Sequence, residues 1–114
     1  MTERIRIYPL VVADNATESD PIDLLSILPP DEALVGIDIP SGFVGTTIGF
    51  KNAADMSNYR QVLKDGAAFS LTCAADRFVA IHPADTKGFS KIKLTFDSQT
   101  GGPITLNLVA STVA

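Results

Sequence analysis

The stretch Ser90-Lys91-Ile92-Lys93-Leu94-Thr95-Phe96-Asp97 alternates polar and apolar residues without a break, and Ile104-Thr105-Leu106-Asn107-Leu108-Val109 repeats the pattern near the end of the chain. Successive side chains of an extended strand point to opposite faces, so a period of two describes a strand with one dry face and one wet face. Ile92, Leu94 and Phe96 then share one side, and Lys91, Lys93, Thr95 and Asp97 the other. That is the pattern of an antiparallel sheet packed on a core and solvated outside.

The remainder of the chain reads in the same terms. Ile5, Ile7 and Leu10-Val11-Val12 predict a first strand, followed from Asp14 to Pro21 by a run of turn formers that reads as an exposed loop. Ile22 to Leu28 fits either a strand or one helical turn, and Pro29-Pro30 ends it in both cases, because proline cannot donate to a ladder. Leu34 to Ile39 predicts the next strand, closed by Pro40-Ser41-Gly42, with Val44 to Phe50 as its expected antiparallel neighbour. In Ala53 to Lys64, Met56, Tyr59 and Leu63 fall at helical spacing while Tyr59 to Leu63 also fits a short strand; a loop and a strand is the favoured reading. Asp65-Gly66 signals a turn, Phe69 to Cys73 and Phe78 to Ile81 alternate as strands, and His82 to Gly88 reads as a surface connection with a helical turn ahead of the final strand pair. Seven to nine short strands in 114 residues predict an all-β chain folded as one domain, a β-sandwich or barrel, with an N-terminal strand and acidic loop over about residues 1–33.

Composition narrows the functional classes. The net charge of −4 is uneven: residues 1–38 carry eight acids against Arg4 and Arg6, whereas the remainder carries seven bases against five acids. Neutralising phosphates needs clustered Lys and Arg, so nucleic acid is not an expected partner. The longest apolar run falls far short of the roughly 20 residues of a membrane helix. Met1-Thr2-Glu3-Arg4 lacks the charge and apolar pattern of a secretory signal, so the expectation is a soluble chain made in the cytoplasm, with no membrane partner. Charged residues make up only 19% of the chain, so some of its apolar surface is expected to be covered by a partner.

No motif carries chemistry with a defined spacing. With one His and one Cys, nucleophilic catalysis has to combine His82 with Asp85 or Cys73. His82 before Pro83 at a strand end reads more simply as a loop cap, and Cys73 as a small buried hydrophobe. Gly42 to Gly49 is glycine-rich but lacks the Gly-Lys-Ser/Thr ending of a phosphate loop. Asn15-Ala16-Thr17 matches a glycosylation acceptor, discounted in a chain without a signal. Asp55, Ser57 and Asn58 offer oxygen ligands but match no calcium loop. Phe43, Tyr59, Phe69, Phe78, Phe89 and Phe96 read as core rather than as a sugar-stacking platform, and Trp is absent. The expectation is therefore no enzyme, and no catalytic, cofactor-binding or metal-ligating residue.

Ile39-Pro40-Ser41-Gly42-Phe43-Val44-Gly45-Thr46-Thr47-Ile48-Gly49-Phe50, Tyr59, Phe69-Ser70-Leu71-Thr72, and Ile81 to Leu94 with Pro83-Ala84-Asp85 and Gly88-Phe89 together resemble a family of small β-sandwich virion proteins of tailed bacteriophages. The resemblance spans about residues 36–110 and leaves the first third outside. It implies a single antiparallel β-sandwich, jelly-roll-like, that serves as a decoration or cement protein on the outer face of the mature capsid. Such a protein is expected to bind the major capsid protein as a homo-oligomer, dimer or trimer, multiplying weak contacts by symmetry. The resemblance further implies that the loop from Asp14 to Asp23 and the Pro29-Pro30 segment contact the shell. Deleting Met1 to Asp20 should then leave a folded sandwich. Where relatives carry Trp after the glycine this chain has Phe89, and it has Met56-Ser57-Asn58 where they carry more aromatics. A glycan- or host-surface-binding module and a low-copy neck or tail component are the alternatives.

Overall fold

The computed structural model describes residues 5–86, 88–97 and 99–112, so Met1 to Arg4 of the N-terminal reading and Lys87 of the resemblance segment lie outside the described residues. In chain order the elements are β1 (Ile5–Val12), β2 (Ile22–Asp23), α1 (Leu24–Ile27), β3 (Glu32–Ile39), β4 (Thr47–Ala53), β5 (Arg60–Gln61), β6 (Leu63–Lys64), β7 (Ala67–Ala68), β8 (Ser70–Thr72), β9 (Arg77–Ala80), α2 (Pro83–Thr86), β10 (Lys91–Phe96) and β11 (Ile104–Thr112).

Two antiparallel sheets face each other. The first runs β1-β11-β3-β9, and the second β2-β10-β4-β5 with β8 following β5 along the same edge of β4. β6 and β7 form a separate hairpin, closed by Asp65 and Gly66 at φ of 54° and 83°, the left-handed pair that a two-residue turn demands. The expected β-sandwich is therefore observed. Alternation does what it predicted in β10: Ile92, Leu94 and Phe96 are buried and meet Phe50 and Ile48 of β4, while Leu10, Val12, Leu106, Leu108, Leu34, Ile37 and Ile39 supply the opposing layer. Each such side chain contributes about 1.5–3 kcal/mol on leaving water. Phe50 stacks on Phe69 at 5.3 Å and Phe43 meets Phe96 edge-on at 6.1 Å, which seals the core at two places.

Three expectations are corrected. Val44 to Phe50 does not neighbour the strand before it: β3 is flanked by β11 and β9, and β4 pairs with β10 in the other sheet. The connection through Pro40 and Phe43 crosses from one sheet to the other, with Phe43 buried between them. For the same reason the two most regular strands, β10 and β11, are not a pair, because the segment between them carries the chain across the sandwich. The third correction concerns the first third of the chain, which is built into the sandwich. β1 pairs along its whole length with β11, and its Leu10 and Val12 are core residues. Deletion of Met1 to Asp20 removes a strand and cannot leave an intact domain. The acidic loop is also docked rather than free: Ser19 is buried and bonds in both directions with Leu94, and the Phe96 amide donates to Thr17 O.

The ambiguous stretch Ile22 to Leu28 turns out to be both things in succession, a two-residue strand and then a single helical turn capped by Asp23, whose carboxylate accepts from the Ser26 amide at 3.2 Å. The loop and short strand predicted for Ala53 to Lys64 are present as a turn, β5 and β6.

Candidate functional site

At one end of the sandwich α1 and the Pro29-Pro30 segment stand opposite α2 and Gly88-Phe89, with the first residues of β3 as the floor between them. They enclose a cleft of about 400 Å³. Its walls are mostly apolar, and Leu24, Leu28, Leu34 and Phe89 are among them. Glu32 is the charged residue of the floor, with a side chain 0% exposed, and its Oε2 accepts from Arg6 Nε at 3.0 Å. The Thr86 hydroxyl, also buried, donates towards Leu34 O and Pro83 O, both at 3.2 Å, and so ties α2 to β3. A concave apolar surface with a few fixed polar groups is the usual form of a recognition site. Sequence reading named both walls, Pro29-Pro30 and Pro83 to Phe89, but not that they meet. The pairing of buried Glu32 with the exposed Arg6 left no signal in the sequence, since the two residues lie 26 positions apart.

The candidate catalytic residues are not assembled into a reactive group by any described hydrogen bond. His82 is exposed, and its Nδ1 accepts from the Ala84 amide at 3.1 Å, capping α2 as its position before Pro83 suggests. Asp85 accepts instead from Lys64 Nζ at 3.0 Å, which pins the β6–β7 hairpin to α2. Cys73 belongs to the core cluster. Burial, with a smaller push from the charge of Asp97, raises its thiol pKa, which disfavours the nucleophilic thiolate.

Asp55, Ser57 and Asn58 do come together, but as a turn. The Asp55 carboxylate accepts from the amides of Ser57 and Asn58 at 3.0 and 2.8 Å and from Asn58 Nδ2 at 2.6 Å, and these bonds hold its pKa down to about 2. Its oxygens are thus used by the loop, and no cluster of metal-ligating side chains occurs among the described residues. Asn15 of the acceptor pattern is exposed, with φ of 64°. The glycines between Gly42 and Gly49 serve packing: a Cβ at Gly45 would stand 2.9 Å from Phe43 Cζ, and one at Gly49 2.7 Å from Thr95 Oγ1. Phe43, Phe69 and Phe96 are core residues as expected, whereas Phe78 is more than half exposed, contrary to its reading as core.

Gln99 went unnoticed in the sequence. Its buried amide donates to Gly42 O at 2.9 Å and to Thr100 O at 3.0 Å, and accepts from the Val44 amide at 3.2 Å, so it fastens the two connections that cross between the sheets. The outer face of the second sheet is charged: Lys51 and Lys93 face each other across β4 and β10, Glu18 pairs with both, and Lys93 Nζ lies 4.5 Å from the centre of the Tyr59 ring. The hydrogen bond from Lys51, more than its charge, lowers the Glu18 pKa.

No protein-family model matches the chain, and no curated protein sequence matches it. Among solved structures it is similar to the SPBc2 prophage-derived protein YomS, with a TM-score of 0.61 over 98% of this chain and 96% of that one. At 12% sequence identity the likeness is one of fold. It includes the N-terminal third that the sequence resemblance left out. No helix among the described residues is long and apolar enough to cross a membrane.

Proposed function

We propose that this chain is a non-enzymatic bacteriophage structural protein that binds the outside of the mature capsid and stabilises it. The observation that carries this reading is the likeness in fold to a prophage-derived protein over nearly the whole of both chains. Two features add support. Pro83, Ala84, Gly88 and Phe89, from the segments that bear the resemblance to phage virion proteins, line the cleft together with Pro29-Pro30. The candidate nucleophile, acid and base are buried or engaged in fastening loops, which fits a binding role better than catalysis.

In this reading the cleft is where the major capsid protein is held, by apolar contact around Leu25 and Pro30 at its exposed mouth. The expected location is the capsid surface, reached after synthesis in the host cytoplasm. Glycan binding has less support, since Phe43, Phe69 and Phe96 lie in the core and the Asp55 loop bonds to itself.

The test is the copy number of the chain in purified virus particles, scaled to the major capsid protein. A ratio of about one copy to one or two capsid subunits is expected for decoration. A handful of copies per particle would reassign the chain to the neck or tail, and absence from particles would overturn the structural role.

A further inference from the structure

The outer face of the β1-β11-β3-β9 sheet is unlike the rest of the surface. Ile5, Ile7, Val11 and Phe78 stand on it with 67, 62, 58 and 55% of their surface exposed. One rung of the ladder crosses all four strands as Ile7, Val109, Gly36 and Ala80. A Cβ on Gly36 would lie 2.2 Å from Phe78 Cζ, so the glycine is what lets the end of that ring lie over its Cα. At the outward positions of these four strands Asp38 is the only ionisable residue, in a chain whose net charge is −4. Single exposed apolar side chains are ordinary on a monomer. A contiguous set depleted of charge has the composition of an interface centre.

β1 makes the point locally. Tyr8, Leu10 and Val12 turn towards the core, so Arg6 shares their side and reaches buried Glu32, while both isoleucines face outward. A solvated outer face gains nothing from that arrangement; a covered one does.

We propose that this face is the two-fold interface of a homodimer, with sheet stacked on sheet. A second copy fits for three reasons. The face presents apolar side chains on both edge strands, Ile5, Ile7 and Val11 of β1 and Phe78 of β9, so a two-fold axis can set apolar residues against apolar residues across an isologous contact. It brings almost no like charge together, whereas self-contact through the lysine-bearing face of the other sheet or through the acidic segment from Asp14 to Asp23 would. Its size is of the right order: strands of eight, nine, eight and four residues, at about 4.8 Å between strands and about 3.3 Å per residue, give a footprint on the order of 450 Å². Two copies then cover about 900 Å², close to the roughly 1,000 Å² at which a specific interface begins. Stacking is preferred over extension of the sheet at its edge because Pro9 interrupts the donors of β1.

The dimer is independent of the capsid reading and is tested on the purified full chain. Light scattering behind size exclusion should give twice the chain mass at micromolar concentration. Ile7→Lys and Val11→Lys, both at exposed positions, should each raise the dissociation constant by about 30-fold or more with an unchanged circular dichroism spectrum. Thr47→Lys, on the outer face of the opposite sheet, should leave the dimer intact. A wild-type monomer would overturn the proposal, even if this face proved to bind another virion protein. So would a dimer that survives both lysines at positions 7 and 11, or one that dissociates with Thr47→Lys.

Discussion

The two sheets present nearly equivalent inner faces and very different outer ones. Inside, Leu94 of β10 and Leu106 of β11 are both fully buried in one continuous cluster. Outside, the second sheet carries Lys51 and Lys93, bridged by Glu18 from a loop that runs along β10, whereas the first sheet carries Ile7, Val11 and Phe78 in the open. The difference teaches that a period of two specifies which residues share a face, while the surroundings decide whether that face is wet. The strand β10 obeys the rule of polar residues outward; β1, part of the same core, breaks it by carrying Ile5, Ile7 and Val11 outward as well as Leu10 and Val12 inward.

The largest effect expected on this comparison comes from removing one side of it. A chain lacking residues 1–20 loses β1, which pairs from Ile5 to Val12 with β11, together with the segment bonded to β10. It should show no cooperative thermal transition by circular dichroism; a sharp transition near that of the full chain would mean that β1 is an appendage after all. Equivalence of the inner faces is tested next by Leu94→Ala and Leu106→Ala, each expected to cost about 2–5 kcal/mol in urea unfolding. A loss confined to one of them would show that the two sheets do not share a single core.

Gln99→Leu fills the same buried space but leaves Gly42 O and the Val44 amide without their partner, and a loss of about 1–3 kcal/mol is expected. A neutral result would mean that the crossings between sheets are held by Phe43 rather than by the amide. On the charged outer face, Glu18→Gln should cost no more than about 1 kcal/mol, because both lysines remain partly solvated. That small cost should shrink further in high salt. A salt-independent loss would show that Glu18 acts through backbone docking of its loop.

The smallest effect is a local one with pH. The folded-state pKa of Asp55 lies at about 2, below its ordinary 3.8, so its contribution is complete above 3.8 and fades as the pH falls through about 2. Exchange of the Ser57 and Asn58 amides should quicken over that interval, while amides in β10 remain protected. Unchanged exchange of the loop amides would remove the carboxylate from the account of the turn.

Much of the fold was legible. The alternation in Lys91 to Phe96, the turn at Asp65-Gly66 and the stop at Pro29-Pro30, which follows the helical turn α1, each rest on local chemistry, and each reappears in the structure. The candidate site was legible only in pieces. Pro29-Pro30 and Pro83 to Phe89 were both singled out, yet nothing in their spacing indicates that β3 brings them to opposite sides of one cleft. Arg6 with Glu32, and Gln99 with Gly42 and Val44, are pairings over long separations that a linear reading has no means to register.

The sequence by itself determined that this chain is built of short strands with dry and wet faces, and where they break, because side-chain alternation and turn preferences act between near neighbours. Only the tertiary structure decided which strands pair, that β4 leaves β3 for the other sheet, and that Ile5 and Ile7 face outward while Arg6 faces in. Those outcomes depend on closing long loops and on the competition of every apolar face for one core. In β1 that competition was settled by Leu10 and Val12, whose burial fixes the orientation of every other residue on the strand.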